Sequence, residues 1–394
     1  MKRAGTVYTW LRSLIVTAVV LISSVAFAGV VQAEEVSTSS AADLRLKLDA
    51  TDPDLISGLH DELGTATLSD VIASVNRSTT SCSAPVSHRV ASFCWNSGDA
   101  AVEYWMPQGI TSSADADASG SVDGHEVLVT SWYDKGTEGF NRGVRLSFFD
   151  MSDTTTPDYR HILLVEPYWN GSQVDFRAVN AHAGGIVWYG DKLYVTNTFQ
   201  GVRVFDMDDL MQVKTGDKTA IGRQPNGDFM GHDYRYVLPQ LGHYRPSTTN
   251  GETRVRYSQL SLDRSTSPDS LLVSEYDVDG PGTRMVRWNM NETDHLIAED
   301  GDGYAKADWS YVVSIRGMQG AVSVNGTFYI NRSNGSSTRG DVFTWVPGNY
   351  ADPHNGTTPI GPEDLSYWGP KGQLWGSSEY PGKRYIYASR LSSW

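Results

Sequence analysis

Cysteine is nearly absent: Cys82 and Cys94 are the only two in 394 residues. They lack the neighbouring histidine spacing that a zinc site needs, and in an exported chain they would pair and leave no nucleophilic thiolate. Such a pair is a staple, closing a short loop worth about 3 kcal/mol in the chain-entropy picture. Positive charge is scarce as well, with 32 Lys and Arg against 46 Asp and Glu and a formal charge of −14. That balance repels phosphate backbones and anionic lipid, which argues against nucleic-acid binding and against attachment to a membrane by charge. Also missing are a Gly-x-Ser-x-Gly elbow, a His-Glu-x-x-His pair and a phosphate-cradling glycine loop, so the chemistries those motifs serve have no local signature here.

A long apolar run occurs only at the start. Lys2, Arg3 and Arg12 precede an uncharged stretch from Ser13 to Val31, and Val31-Gln32-Ala33 offers a small-residue cleavage signal, with Ala26-Phe27-Ala28 as a second. Residues 1–33 therefore read as a secretory signal peptide, and the protein as secreted and extracellular. The run is near bilayer length, so an uncleaved anchor is the alternative. Cleavage removes three positive charges and no negative ones, taking the mature chain to about −17.

What the sequence does have is repetition. Residues 182–207, HAGGIVWYGDKLYVTNTFQGVRVFDM, hold three short apolar runs: Ile186 to Tyr189, Leu193 to Val195 and Val202 to Phe205. Gly190-Asp191 and Gln200-Gly201 separate them, so the stretch reads as a three-stranded meander. The pattern recurs four times, beginning near Pro107, Ser258, Met318 and Pro362. Five copies of a unit that cannot bury both faces of its own sheet imply radial stacking. The expected fold is all-β, a five-bladed β-propeller over residues 89–394. The Trp-Asp repeat ending of intracellular propellers is absent.

Residues 34–88 read as a linker and a small N-terminal helical cap. Leu55, Leu59 and Leu63 recur on one helical face, with Pro53 or Asp54 to start the helix and Gly64 to stop it. A second short helix is expected from Ser69 to Asn76, and a flexible pro-segment is the alternative for the whole region. The fifth repeat runs out of chain after three strands. Part of 89–105 is expected to supply its outer strand, because an open ring leaves an edge unpaired. The loop between Cys82 and Cys94 adjoins that strand.

Three constellations could carry function. Residues 115–126, DADASGSVDGHE, place Asp115, Asp117, Ser119, Ser121, Asp123 and Glu126 in the order in which a calcium loop wraps oxygen ligands, with glycine at the sixth position. The flanks are strands, so the loop resembles the calcium hairpins in the propeller of integrin α-subunits. That resemblance implies a structural calcium; a solvated turn is the alternative. Second, the repeats start with Gln108, His182 before Gly184, Gln259, Gln319 and Glu363. First strands line a propeller channel, so these side chains should converge there as a ligand site or as amides bonding one another, with Asp364 alongside. Third, Tyr133, Tyr189, Tyr276, Trp368, Trp375 and Tyr380 fall near strand ends, where rings can stack on sugars, although most aromatics of such a fold pack between blades. Glu275-Tyr276 and Glu379-Tyr380 occupy equivalent places in the third and fifth repeats.

The leader, the helical cap and the blade starts His-Ala-Gly-Gly-Ile and Pro-Glu-Asp-Leu-Ser-Tyr together resemble a group of exported actinobacterial proteins. The resemblance covers most of the mature chain and implies export and a propeller-like repeat; it brings no activity. Two functions follow, the first the expected one and the second its alternative. One is a monomeric extracellular binding protein for a glycan, a cell-surface component or another protein. The other is a secreted glycan-active hydrolase or lyase with its site at the axis, in which Glu363 acts as acid or base with His182 as partner. Such chemistry usually needs a second carboxylate, and Asp364 or Glu275 are the candidates; Asp364 should point to the opposite face from Glu363.

Overall fold

The computed structural model describes the backbone of residues 31–35 and residues 41, 43–247, 255–279 and 283–394. The apolar part of the expected leader, up to residue 30, lies outside them. No helix among the described residues is long and apolar enough to cross a membrane.

The chain is mostly β and propeller-like, built from successive antiparallel meanders. The first comprises Trp105–Ser112, Val127–Asp134, Val144–Asp150 and Asp158–Asn170. The second comprises Ile186–Tyr189, Lys192–Asn197, Gly201–Asp206 and Tyr236–Pro246. Gln259–Asp263, Ser270–Ser274, Thr283–Asn289 and Trp309–Val313 form the third. The fourth runs through Met318–Val324, Thr327–Arg332, Asp341–Trp345 and Tyr350–His354. The last has Pro362–Trp368, Gln373–Ser378 and Tyr385–Arg390, and Arg89–Cys94 from the other end of the chain pairs with Tyr385–Arg390 as its fourth strand. A polar turn region separates the outer strand of the third meander, Trp309–Val313, from its other three strands. Outer strands of the first two meanders also pair in parallel, Leu163–Val165 beside Val237–Pro239.

Alternation along each strand explains why the meanders pack in order. Ile186 and Trp188 enter one apolar cluster with Val127 and Val129 of the first meander, while Val187 and Tyr189 enter another with Leu260 and Trp288 of the third. Successive side chains point to opposite faces, so one strand serves two seams. Leu272 and Met285 meet Phe328 and Trp345 across the next seam, and Val322 meets Leu365 and Leu374 across the one after. Trp368 and Trp375 of the last meander then pack with Trp132 and Phe149 of the first, closing the cycle.

Near the axis the first strands touch through backbone. A Cβ on Gly185 would stand 2.1 Å from the Leu260 nitrogen, and one on Gly320 2.9 Å from that of Leu365, so only glycine permits the approach. Each meander also donates a hydrogen bond to the next. Ser131 Oγ reaches Ala183 O at 2.7 Å, Thr196 Oγ1 reaches Ser258 O at 3.2 Å, and Ser261 Oγ reaches Ala321 O at 2.5 Å. Asn331 Nδ2 donates to the Glu363 carbonyl, and Ser377 Oγ to the Gln108 carbonyl at 2.9 Å.

The N-terminal region packs on the first two meanders. Helix Pro53–Leu63 starts at the Asp52 cap, stops at Gly64 with φ +69, and buries Leu55 and Leu59 against Leu163, Val174 and Phe176. Helix Leu68–Ala73 is opened by a Thr67/Asp70 capping box and buries Leu68, Val71 and Ile72. Before them, Arg45–Ala50 adds an edge strand to Tyr236–Pro246. Cys82 and Cys94 are disulfide-bonded, which ties the strand Arg89–Cys94 to the segment ahead of it. The backbone of Val31–Glu35 lies between Trp309–Val313 and Tyr350–His354. A cut after Ala33 would divide that strand, whereas a cut after Ala28 would leave it whole.

Candidate active site

The meander starts converge as the repeat pattern implies. Gln108, His182, Gln259, Gln319 and Glu363 line one cavity of about 270 Å³, together with Tyr276, Arg256 and Glu379. Amides link part of the set. Ser274 Oγ donates to Gln259 Oε1 at 3.4 Å, Gln259 Nε2 to Gln319 Oε1 at 2.8 Å, and Gln319 Nε2 to Glu363 Oε1 at 3.2 Å. On the other side Gln108 Nε2 donates to Glu379 Oε2 at 3.4 Å. The amides thus do what neutral amides do when buried, satisfying each other, and their chains end on two carboxyl groups.

Those two carboxyls are the unusual groups. Glu363 is 1 % exposed and makes no ion pair among the described residues. Burial pushes its pKa well above the ordinary carboxylate value, and the nearby Glu379 and Asp364 push it further. Glu379 is raised too, chiefly by burial, against the lowering effect of the Tyr380 hydroxyl, Lys135 and the Gln108 amide. Tyr133 is pushed up to about 12 by burial and by both glutamates. Burial first, and then Glu363 and Glu379, also raise Tyr276. Two buried carboxyls that face one cavity each make it harder for the other to ionise, so both keep their protons to higher pH than an ordinary carboxyl does.

His182 stands exposed at the rim, its ring tilted against that of Tyr133 with centroids 4.3 Å apart. Surrounding atoms still crowd the ring, and this desolvation followed by the charge of Arg256 lowers its pKa. Ala183 just after it has φ +54, a left-handed conformation that costs energy in a residue with a Cβ and turns the chain into the axis.

Glu275 does not join Glu363. Its carboxylate binds the Arg284 guanidinium at 2.8 Å and accepts from the backbone N–H of Arg256 and Arg284. The carboxyl that shares the cavity with Glu363 is Glu379, and the repeated Glu-Tyr pair of the third and fifth meanders was its signal in the sequence. Asp364 turns away from the cavity. Its Oδ2 accepts from the N–H groups of Ile110 and Ile186, both at 3.4 Å, while Oδ1 is buried without a partner.

In the loop at residues 115–126 the expected calcium ligands are engaged with partners inside the protein. Asp115 faces inward, where its Oδ2 accepts from Thr111 Oγ1 at 2.7 Å and Ser366 Oγ at 2.8 Å. Asp117 caps the Ser119 N–H, Ser119 Oγ donates to the Ser121 carbonyl, and Glu126 pairs with Lys371 at 2.6 Å. Asp123 holds a left-handed turn with φ +52. Among the described residues the group with metal-compatible spacing is Asp191, Asp206 and Asp208, and there Lys192 Nζ already binds Asp191 at 2.6 Å and Asp206 at 2.8 Å. Of the six aromatics, Tyr189, Trp368 and Trp375 are buried between meanders, whereas Tyr133, Tyr276 and Tyr380 remain partly open near the glutamates.

No family model matches the chain, and no curated protein matches it. Solved structures resemble it loosely. A gluconolactonase from Xanthomonas campestris is 12% identical over 80% of this chain and 87% of its own, with a TM-score of 0.36. A GH43_1 enzyme from Xanthomonas citri complexed with xylose is 10% identical over 73% and 88%, with a TM-score of 0.33. The Cps50 (Swd1) β-propeller domain from Myceliophteria thermophila is 11% identical over 73% and 98%, also with a TM-score of 0.33. At such scores the likeness carries no argument about chemistry, which rests on the residues of the axis.

Proposed function

We propose that the protein is a secreted glycan-active hydrolase whose five meanders are the blades of one five-bladed propeller and whose site is the cavity at its axis. The observation that carries this reading is the pair of Glu363 and Glu379, two carboxyls on one cavity, both held above the usual carboxylate range. Environments that hold carboxyls protonated toward neutral pH are what acid–base chemistry requires. Glu363, the more deeply buried, keeps its proton and gives it to the leaving oxygen of a glycosidic bond. Glu379, the more open, takes a proton from the attacking water. The C–O bond breaks, water supplies the hydroxyl and the hydrogen, and the pair exchanges roles in its charge. Tyr276 and Tyr133 offer ring faces to a sugar, and a cavity of about 270 Å³ has room for one terminal residue of a chain. The apolar leader and the disulfide support export.

A panel of aryl glycosides and soluble polysaccharides tests this reading. Turnover by the wild type is expected for at least one member, with Glu363→Gln and Glu379→Gln each lowering kcat about 100-fold or more while the melting temperature is kept. A wild type that binds a glycan but cleaves no member of the panel would overturn hydrolysis in favour of an extracellular binding module.

A further inference from the structure

The chain carries a formal charge of −14, yet one cleft gathers its cations. It is about 380 Å³ in volume and lies away from the axis, between the outer strands of the first meander and the excursion of the second around residues 218–235. Arg145 forms its floor. The guanidinium is 5% exposed, sits 4.6 Å and 4.4 Å from the ring centres of Trp105 and Trp132, and donates to Asp99 Oδ1 at 2.8 Å. Its Nε is buried with no partner. Asp99 has little left to give, because it also accepts from the Tyr159 hydroxyl at 2.6 Å and His161 Nε2 at 3.1 Å and meets Arg77 at 3.4 Å. His161 adds no charge: burial first, and then Arg145, push it down to about 3.

The rim is more strongly unbalanced. Arg160, Arg235 and Lys218 line the cleft with no carboxylate at salt-bridge distance among the described residues. Arg235 donates to Gln212 Oε1 at 3.2 Å and Arg160 to the Ser74 carbonyl, and both guanidinium groups lie over the Tyr236 ring. Arg160 is held below its usual value by burial and then by Arg235 and Arg77, the signature of guanidinium groups crowded together. The other lining acid, Asp233, accepts from the Gly216 N–H at 2.7 Å within its own loop. Collecting like charges costs energy unless something negative joins them.

We infer that this cleft binds a tetrahedral oxyanion, a phosphate or sulfate group, either free or as an ester on a larger molecule. Arg145 supplies a fixed donor at the floor, and Arg160, Arg235 and Lys218 close on the anion from the rim. Guanidinium forks suit the oxygens of such a group. The axis site plays no part in this binding.

Calorimetric titration of the purified protein with inorganic phosphate and inorganic sulfate, at fixed ionic strength and against chloride, tests the inference. Saturable binding at one site per chain is expected. Arg160→Gln with Arg235→Gln should weaken it at least tenfold, and Lys218→Ala, at an exposed position that folding does not use, severalfold. Glu363→Gln should bind as the wild type does, so failure here is separate from failure at the axis. Tighter binding of glucose 6-phosphate or glucose 6-sulfate than of the free ion assigns the group to an ester, and equal affinity assigns it to the free ion. A wild type with no saturable binding, or an affinity unchanged in both the double variant and Lys218→Ala, overturns the inference.

Discussion

Asp115 shows how a single buried residue trades stability for placement. Burial raises its pKa to about 6, against the lowering effect of the Thr111 and Ser366 hydroxyls. A carboxyl raised in the folded state contributes stability that is complete below its unfolded pKa, near 3.8, and is lost as pH rises through about 6. Asp364 shifts in the same direction, with burial again the largest cause. Asp115→Asn keeps an accepting oxygen and has no charge to bury. Its melting temperature relative to the wild type should therefore climb between pH 4 and pH 8, by an amount worth about 3 kcal/mol; thermal melts across that range check it, and a constant gap would contradict it. At this scale the sequence was half legible. Repetition placed Gln108, Gln259, Gln319 and Glu363 together, because each occupies the same step of its meander. It could not show that Glu275 is consumed by Arg284 while its counterpart Glu379 is left facing Glu363, since that depends on which arginine lies nearby in the fold.

At the level of elements, the strand Arg89–Cys94 controls closure. It joins the last meander from the N-terminal side of the chain, and the short strand Thr80–Ser81 pairs along its other edge. Phe93 inserts between Phe149 and Trp375, with ring centres at 5.3 Å and 6.3 Å, and so joins both sides of the final seam. The disulfide restricts this strand in the unfolded chain. Replacing both Cys82 and Cys94 by serine should lower stability by about 3 kcal/mol, and Phe93→Ala by about 3 to 5 kcal/mol, as read from denaturant unfolding. Values near zero for both would mean that the ring does not depend on this strand. The pairing of Arg89–Cys94 with Tyr385–Arg390 was legible because a missing strand in the last repeat had to be matched by a spare one elsewhere. The inner strands were legible because both faces are buried, which leaves dense apolar runs. The outer strand Trp309–Val313 and the strand Val31–Glu35 were not, because a polar turn region hides the first and the end of an apolar leader hides the second.

Across the whole molecule, the function proposed here exists only when the ring is closed. Glu363 receives its hydrogen bond from Gln319 of the preceding meander, and Glu379 receives its own from Gln108, 271 residues away. The cationic cleft has the same character: Arg77, Arg145, Arg160 and Arg235 are scattered through an acidic sequence and meet only in space, so net charge gave no hint of them. The central claim is that the axis brings together two electrostatically coupled carboxyls, Glu363 and Glu379. Carbon-13 NMR titration of the glutamate carboxyls tests it most directly, with Glu363 assigned through Glu363→Gln and its coupling read in Glu379→Gln. Glu363 should stay protonated well above pH 4.5, and removing the Glu379 charge should shift its titration to lower pH. A Glu363 that ionises near 4.5 in both proteins would contradict it.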